Sequence, residues 1–298
     1  TDMPDDGTET FEAHRERLFN LAYRMLGRVQ SAEDAVQDAY LRWRSVDPGT
    51  VDDPAAYLTT IVSRLCLDEL SSARAERETY TGPWLPEPTV APLDRPDRTA
   101  ERADAVSYAL LVVLETLPPR QRAVYVLRTA LDLPYAEIAP IVDESAAYCR
   151  KLAQRAREQI EATDVERDVS ASAQADLVED FVAAIADGDA EAVARTLAED
   201  VVVTSDGGGR VTAARRPVEG RAHVTRFLLG VAEQVPDGFE VVLVRVNGRP
   251  GLLARVDGTP QSVWAFEVRD GRIQNAYAVL NPEKLRHVDP DGPSGSSA

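Results

Sequence analysis

Apolar side chains recur at helical spacing through most of the first 160 residues. Phe11, Leu18, Leu21, Ala22 and Met25 form one stripe, and Gly27 follows as a stop. Val36, Ala39, Tyr40 and Trp43 form a second, over residues 32–46, where Ser31 is placed to cap the first turn and Glu33 and Asp34 to complement the helix dipole. Pro54 opens a third stretch, residues 55–77, carried by Tyr57, Leu58, Ile61, Val62, Leu65 and Leu70. The first 78 residues therefore predict an all-helical domain.

The period breaks over residues 79–99, where Pro83, Pro86, Pro88, Pro92 and Pro96 block helix and favour an extended, semi-stiff linker. Helical spacing returns over 99–114 and, after Pro118 and Pro119, runs through Val124, Val126, Leu127 and Leu131. It then divides into two short segments, 135–142 and 145–160. A third region begins with an amphipathic helix over 172–187 and a shorter one ending near Leu197. Beyond these, β-branched runs at 201–203, 239–246, 251–256, 262–268 and 273–279 are bounded by Gly, Pro, Asn and Asp, which is strand and turn chemistry. Two or three helices against a curved antiparallel sheet are expected here, an α+β domain over 169–288 with a mobile tail from 289.

Composition changes this picture in one respect. The net charge is −17, and both the helical part and the α+β part carry an acidic excess, which disfavours a chain that holds DNA unaided. Yet residues 145–157 contain Arg150, Lys151, Arg155 and Arg157 and no acidic residue. This basic segment is the second of two helices joined by a short polar turn, with Ala139 where helices approach closely, the pattern of a helix-turn-helix. Tyr148, Arg150, Lys151, Gln154 and Arg155 are its candidate DNA contacts. Pro140, inside the first helix, fits this pattern poorly because it lacks an N–H and crowds the preceding turn. Cys66 and Cys149 match neither a disulfide framework nor a metal pattern and read as buried thiols. No nucleotide, metal or cofactor fingerprint occurs, and neither a spanning apolar run nor a signal peptide is seen, so a cytoplasmic protein without cofactor or membrane partner is expected.

The stretch LPPRQRAVYVLRTALDLPYAEIAPIVDESAAYCRKLAQRARE resembles domain four of bacterial sigma factors, and RMLGRVQSAEDAVQDAYLRWRS resembles the core of domain two. Their order, with no sigma domain between, is that of the extracytoplasmic-function type. The resemblance implies sigma domain two over 1–78, a linker over 79–99 and sigma domain four over 100–163, reading the upstream promoter element. It implies core RNA polymerase as partner, through the clamp and flap, with Asp34, Gln37, Asp38 and Arg42 as clamp contacts. It also implies promoter DNA as partner, with Ser63, Arg64 and Asp68 in a loop that reads the melted downstream element and Arg74 and Arg77 on its phosphates.

Three further segments resemble those of sigma factors with a fused SnoaL-like, or ketosteroid-isomerase-like, cone. They are WLPEP (Trp84, Leu85, Pro86, Glu87, Pro88), DGGGR (Asp206, Gly207, Gly208, Gly209, Arg210) and NPEKL (Asn281, Pro282, Glu283, Lys284, Leu285). Arg210 stands where lysine is usual and Glu283 where aspartate is usual, so the same contacts with shifted reach are expected. The implied fold is multidomain, two all-α sigma domains plus an α+β cone. The implied role of the cone is regulation in cis, in place of a separate anti-sigma factor. A small-molecule ligand in the cone stays open. Catalysis has little to stand on: His223 and His287 are the domain's only histidines, and Asp206 with Tyr277 is the best acid–base pair available.

Overall fold

Secondary structure follows the apolar stripes, with corrections at the ends of elements. The computed structural model describes residues 6–78, 80–93, 106–163 and 170–288, without the side chains of Asp6 and of residues 73–78. The chain divides into two compact units, Thr1–Glu78 with Val113–Thr163, and Thr79–Val112 with Asp164–Ala298.

In the first unit, helices α1 (Asp6–Leu26), α2 (Val29–Trp43) and α3 (Pro54–Glu78) pack on one another around Phe11, Leu18, Leu21, Met25, Trp43, Leu58, Val62 and Cys66. Ser31 is not the cap of α2. The helix begins at Val29 without a side-chain cap, and the Ser31 hydroxyl instead donates to Glu69 of α3 at 3.3 Å. At α3 the cap is Asp53, which accepts from the Ala56 N–H at 3.0 Å.

Helix α4 (Tyr108–Glu115), whose expected start at 99 lies outside the described residues, leads to α5 (Pro119–Ala130), α6 (Tyr135–Val142) and α7 (Ala146–Glu161). α6 accommodates Pro140 by being short. It buries Ile138, Ile141 and Val142, and the chain reverses at Asp143, whose left-handed φ of 55° closes the turn before α7.

Within this unit α5 packs on α1 and α3, and α6 on α3. The buried Arg122 of α5 pairs with Glu115 at 2.6 Å and donates to the Arg24 carbonyl of α1 at 3.0 Å. Gly27, at φ +67°, ends α1 against the same pair. A Cβ there would come within 2.3 Å of the Glu115 carboxylate, so both the left-handed turn and the close approach require glycine.

The second unit holds a seven-stranded sheet in the order β1-β4-β5-β6-β7-β2-β3 among the described residues. Its strands are β1 (Val90–Pro92), β2 (Leu197–Asp206), β3 (Val218–Glu219), β4 (Phe239–Val246), β5 (Arg249–Val256), β6 (Thr259–Arg269) and β7 (Arg272–Val279). Three hairpins join β4 to β7 through Asn247-Gly248, Asp257-Gly258 and Asp270-Gly271, each pair at positive φ. Those are the residues that such tight, right-twisting turns select. The expected all-antiparallel sheet is corrected at one ladder. β2 runs parallel to β7, which is possible because a helix and four strands separate them in the chain.

Helices α8 (Ala171–Ala186), α9 (Ala190–Thr196) and α10 (Arg221–Ala232) cover one face of the sheet. Val178, Phe181, Val193, Leu228, Leu252, Phe266 and Ala276 fill the layer between. Side chains alternate across a strand, and the opposite face, with Val244, Leu253, Val263, Ala265 and Tyr277, is covered by Leu85, Tyr108, Leu285 and Val288. The proline-rich stretch is thus extended, as its composition dictates, but not free: Leu85 to Pro88 are buried, and Val90, Ala91 and Pro92 pair with β4 as the edge strand.

Replacing Arg122 by Ala should destabilise the first unit by about 3–5 kcal/mol, because it removes the buried cation that pairs with Glu115 and bonds the Arg24 carbonyl. A urea unfolding curve should register the loss, whereas Arg15→Ala, on an exposed pair, should move the midpoint little.

Candidate functional site

The three segments singled out in the sequence meet in the second unit around one carboxylate. Asp206, the last residue of β2, is 0% exposed. Its Oδ1 accepts from the Tyr80 hydroxyl at 2.6 Å and the Gly208 N–H at 3.0 Å, and its Oδ2 from the Leu85 N–H at 2.9 Å and Lys284 Nζ at 2.8 Å. Its carbonyl accepts from the N–H groups of Leu280 and Asn281 at 2.8 and 2.9 Å. A carboxylate in a dry site is tolerated only when paired and fully hydrogen-bonded, and here the three segments supply the partners.

Lys284, also buried, donates to the Leu85 carbonyl besides Asp206. Its ammonium lies 3.3 Å from the Trp84 ring centroid and 5.1 Å from that of Tyr80, within reach of the attraction between a cation and an aromatic face. Burial, and then the bond to Asp206, pushes the Tyr80 phenol above its ordinary pKa, so it stays a neutral donor.

The DGGG turn is shaped to let this happen. Gly208 has φ +60°, and a Cβ on it would meet the Asn281 side-chain nitrogen at 2.3 Å and the Tyr80 hydroxyl at 3.0 Å. Asn281 donates to Tyr80 at 2.9 Å, and its Oδ1 accepts from Glu283 N–H, capping the short 3-10 helix Pro282–Leu285 that carries Lys284. Arg210 and Glu283, the two departures from the expected pattern, pair with each other at 3.0 Å on the surface. The longer acid and the longer base accommodate each other.

Beyond the three segments, further groups hold the same proline-rich strap, residues 80–93. The Asn247 side chain accepts from Thr89 N–H at 3.1 Å, its backbone N–H donates to the Thr89 carbonyl at 3.0 Å, and its amide reaches the Val106 carbonyl at 3.3 Å. His287 contacts the Pro88 carbonyl at 2.8 Å, and the Tyr108 hydroxyl donates to the Pro86 carbonyl at 2.7 Å. Asn247 looked like a turn residue only, and nothing local marks the other two.

The acid–base pair weighed for catalysis is occupied otherwise. Both carboxylate oxygens of Asp206 are taken up by Tyr80, Leu85, Gly208 and Lys284. Tyr277 lies against Tyr108 on the strap side of the sheet, away from the helix-covered face, with burial and then the Glu267 charge raising its pKa. His223 contacts its own Glu219 carbonyl.

In the first unit, α7 is capped by Ser145, which accepts from Tyr148 N–H at 3.2 Å. It buries Cys149, Leu152, Ala153, Ala156 and Ile160 and exposes Tyr148, Arg150, Lys151, Gln154 and Arg155 on one solvent face. Asp34, Gln37, Asp38 and Arg42 are likewise exposed together on α2, with Leu41, 57% exposed, among them. Leu41 was missed because it adjoins the apolar stripe in sequence. Its outward position is the only signal.

Residues 63–68 are not in a loop, because α3 is unbroken. Ser63 is fully buried with its hydroxyl spent on the Thr59 carbonyl at 2.7 Å, so it cannot reach a base in this arrangement. Arg64 donates to the Pro140 carbonyl of α6 at 3.0 Å. Asp68 lines a groove of about 330 Å³ between α2 and α3 with Asp34, Asp38 and Glu69, where the carboxylates would repel a phosphate. The side chains of Arg74 and Arg77 lie outside the described residues. No group of His, Cys, Asp or Glu among the described residues is arranged to hold a metal, and no helix among them is long and apolar enough to cross a membrane.

Lys284→Ala should cost the second unit about 3–5 kcal/mol, since it strands the Asp206 carboxylate, and should accelerate proteolytic cleavage between residues 80 and 93. Arg210→Ala, which breaks an exposed pair, should change stability by no more than about 1 kcal/mol. Limited proteolysis alongside urea unfolding distinguishes the two.

Comparison with known proteins agrees with this architecture. Family models for sigma-70 region 2, sigma-70 region 4 and a SnoaL-like domain match residues 10–76, 107–160 and 178–276. The ECF RNA polymerase sigma factor SigJ of Mycobacterium tuberculosis (strain ATCC 25618 / H37Rv) is 42% identical over 288 residues, 92% of either chain. A probable ECF sigma factor of the same species, SigI, is 32% identical over 284 residues, covering 94% of this chain and 95% of that one. The crystal structure of M. tuberculosis SigJ superimposes with a TM-score of 0.76 at 38% identity, over 93% of this chain and 98% of that one. The chain belongs to the extracytoplasmic-function RNA polymerase sigma factors, which direct promoter-specific initiation of transcription, in the form that carries a C-terminal SnoaL-like domain.

Proposed function

We propose that the SnoaL-like domain is a brake acting in cis on the sigma domains of this chain. The boundaries adopted are 1–78 for sigma domain two, 79–99 for the linker, 100–163 for sigma domain four and 169–288 for the brake. Asp34, Gln37, Asp38 and Arg42 with Leu41 form the polymerase face. Asp68 joins it, because its neighbours are carboxylates that suit a basic protein surface better than DNA. Tyr148, Arg150, Lys151, Gln154 and Arg155 form the upstream promoter face, and Arg64, Arg74 and Arg77 the downstream one.

The observation that carries the brake is the grip of Asp206 and Lys284 on Trp84 and Leu85. On a promoter the two DNA-reading domains stand about two turns of duplex apart, roughly 70 Å, and the 79–99 segment fully extended reaches about 70 Å. A strap held along the sheet cannot at the same time span the distance between the two domains. Two contacts in the first unit, Arg122 with Arg24 and Arg64 with Pro140, hold domains two and four together and must also open. The domain would then work by binding energy alone, with no reaction to catalyse and no separate anti-sigma protein required. A polymerase that prefers the opened form shifts the population by its differential affinity.

Transcription with purified core polymerase tests this. Leu85→Ala with Lys284→Ala should raise initiation at a cognate promoter over the full chain, while a chain cut after Leu280, which loses the 3-10 helix as well as Lys284, separates release from any role of that helix in presenting the sigma domains. If release leaves both initiation and polymerase affinity at the level of the full chain, the domain is a passenger.

A further inference from the structure

The recognition helix of an acidic protein must keep its cations available to DNA and yet hold them still. Arg150, on the exposed face of α7, has no ion-pair or hydrogen-bond partner among the described residues. Its guanidinium carbon lies 5.9 Å from the ring centroid of Tyr135, the first residue of α6. A second guanidinium, that of Arg128 in the last turn of α5, lies 5.6 Å from the same ring. Arg128 is itself fixed. It donates to the Asp132 and Leu133 carbonyls at 3.0 and 3.2 Å and pairs with the Asp132 carboxylate at 2.8 Å, across a turn where Asp132 takes φ 52°. The Asp132 carboxylate offsets the charge of Arg128, which lessens the repulsion that two cations near one ring would otherwise feel.

An aromatic face holds a guanidinium differently from a carboxylate. A carboxylate engages the N–H donors in the plane of the group, the same donors that a phosphate or a guanine edge would need. A ring attracts the cation through its quadrupole and leaves those donors unspent.

We propose that Tyr135 is a positioning residue for promoter recognition: its ring pre-orients the Arg150 guanidinium toward DNA while leaving its hydrogen-bond donors unspent, and Arg128 keeps the α5–α6 turn that carries the ring in place. The proposal rests on the assignment of α7 as the upstream promoter face.

The test is initiation by the full chain with core polymerase on a cognate promoter and on variants with single-base changes in the upstream element. Tyr135→Phe keeps the ring and should initiate as the parent does. Tyr135→Leu keeps the apolar bulk but not the face, and should lower initiation roughly two- to fivefold, the worth of an exposed contact of this kind. In an Arg150→Ala background Tyr135→Leu should have no further effect, and polymerase affinity in solution should be unchanged in every variant. Equal loss in Tyr135→Phe and Tyr135→Leu overturns the proposal, as do independent, additive losses from Tyr135→Leu and Arg150→Ala. If Arg150→Ala is itself silent on every promoter, the assignment of Arg150 to DNA falls and takes the proposal with it. If Arg150→Ala impairs initiation and Tyr135→Leu does not, the positioning role alone falls.

Discussion

A single buried charge sets the terms for the second half of this molecule. Asp206 sits where water cannot reach it, and an ionised carboxylate in such a place is costly unless its lone pairs are filled. Tyr80 and Leu85 come from the strap, Gly208 from the turn beside it, and Lys284 from the segment beyond the last strand. Because those donors come from regions far apart in sequence, satisfying one residue fixes the course of the strap, the turn and the C-terminal helical segment together. The apolar contacts of Leu85, Tyr108 and Leu285 on the sheet add burial energy to that arrangement, but they would tolerate sliding. The ion pair does not.

Much of this was legible from residue order. The helices of the first unit follow their apolar period, the hairpins of the second follow their Asn-Gly and Asp-Gly pairs, and the exposed face of α7 carries the basic residues that the helix-turn-helix pattern singled out. What could not be read was encounter. WLPEP, DGGGR and NPEKL were recognisable one by one, yet nothing local says that Lys284 reaches the Leu85 carbonyl, or that Asn247 in a hairpin turn clasps Thr89. The parallel pairing of β2 with β7 escaped for the same reason, since strand direction is decided by the whole course of the chain. Ser31 shows a different failure. A hydroxyl before a helical stripe is a plausible cap, but two more residues of helix formed ahead of it and the side chain found Glu69 instead.

The two faces of the first unit are electrostatic opposites within one acidic chain. The groove between α2 and α3 gathers Asp34, Asp38, Asp68 and Glu69, whereas the outer face of α7 has Arg150, Lys151 and Arg155 with Glu158 held by Gln154 at 2.9 Å. Long-range repulsion from a net charge of −17 weakens any encounter with DNA that the protein attempts alone, and the short-range basic face acts only when something else brings it close. That division suits a factor whose specificity is exercised as part of a larger enzyme.

The parallel pairing of β2 with β7 also has a meaning in time. It places the end of β2 beside the end of β7, so the site around Asp206 is completed only when the final strand and the residues after it are in place. On a translating ribosome Lys284 emerges about 120 residues after the end of α7, a delay on the order of ten seconds at ordinary elongation rates. Throughout that interval the nascent chain has its helical domains and its proline-rich strap but nothing to clamp the strap with. The clasp can therefore close only once Lys284 has been made, and a polypeptide released before that point lacks it altogether.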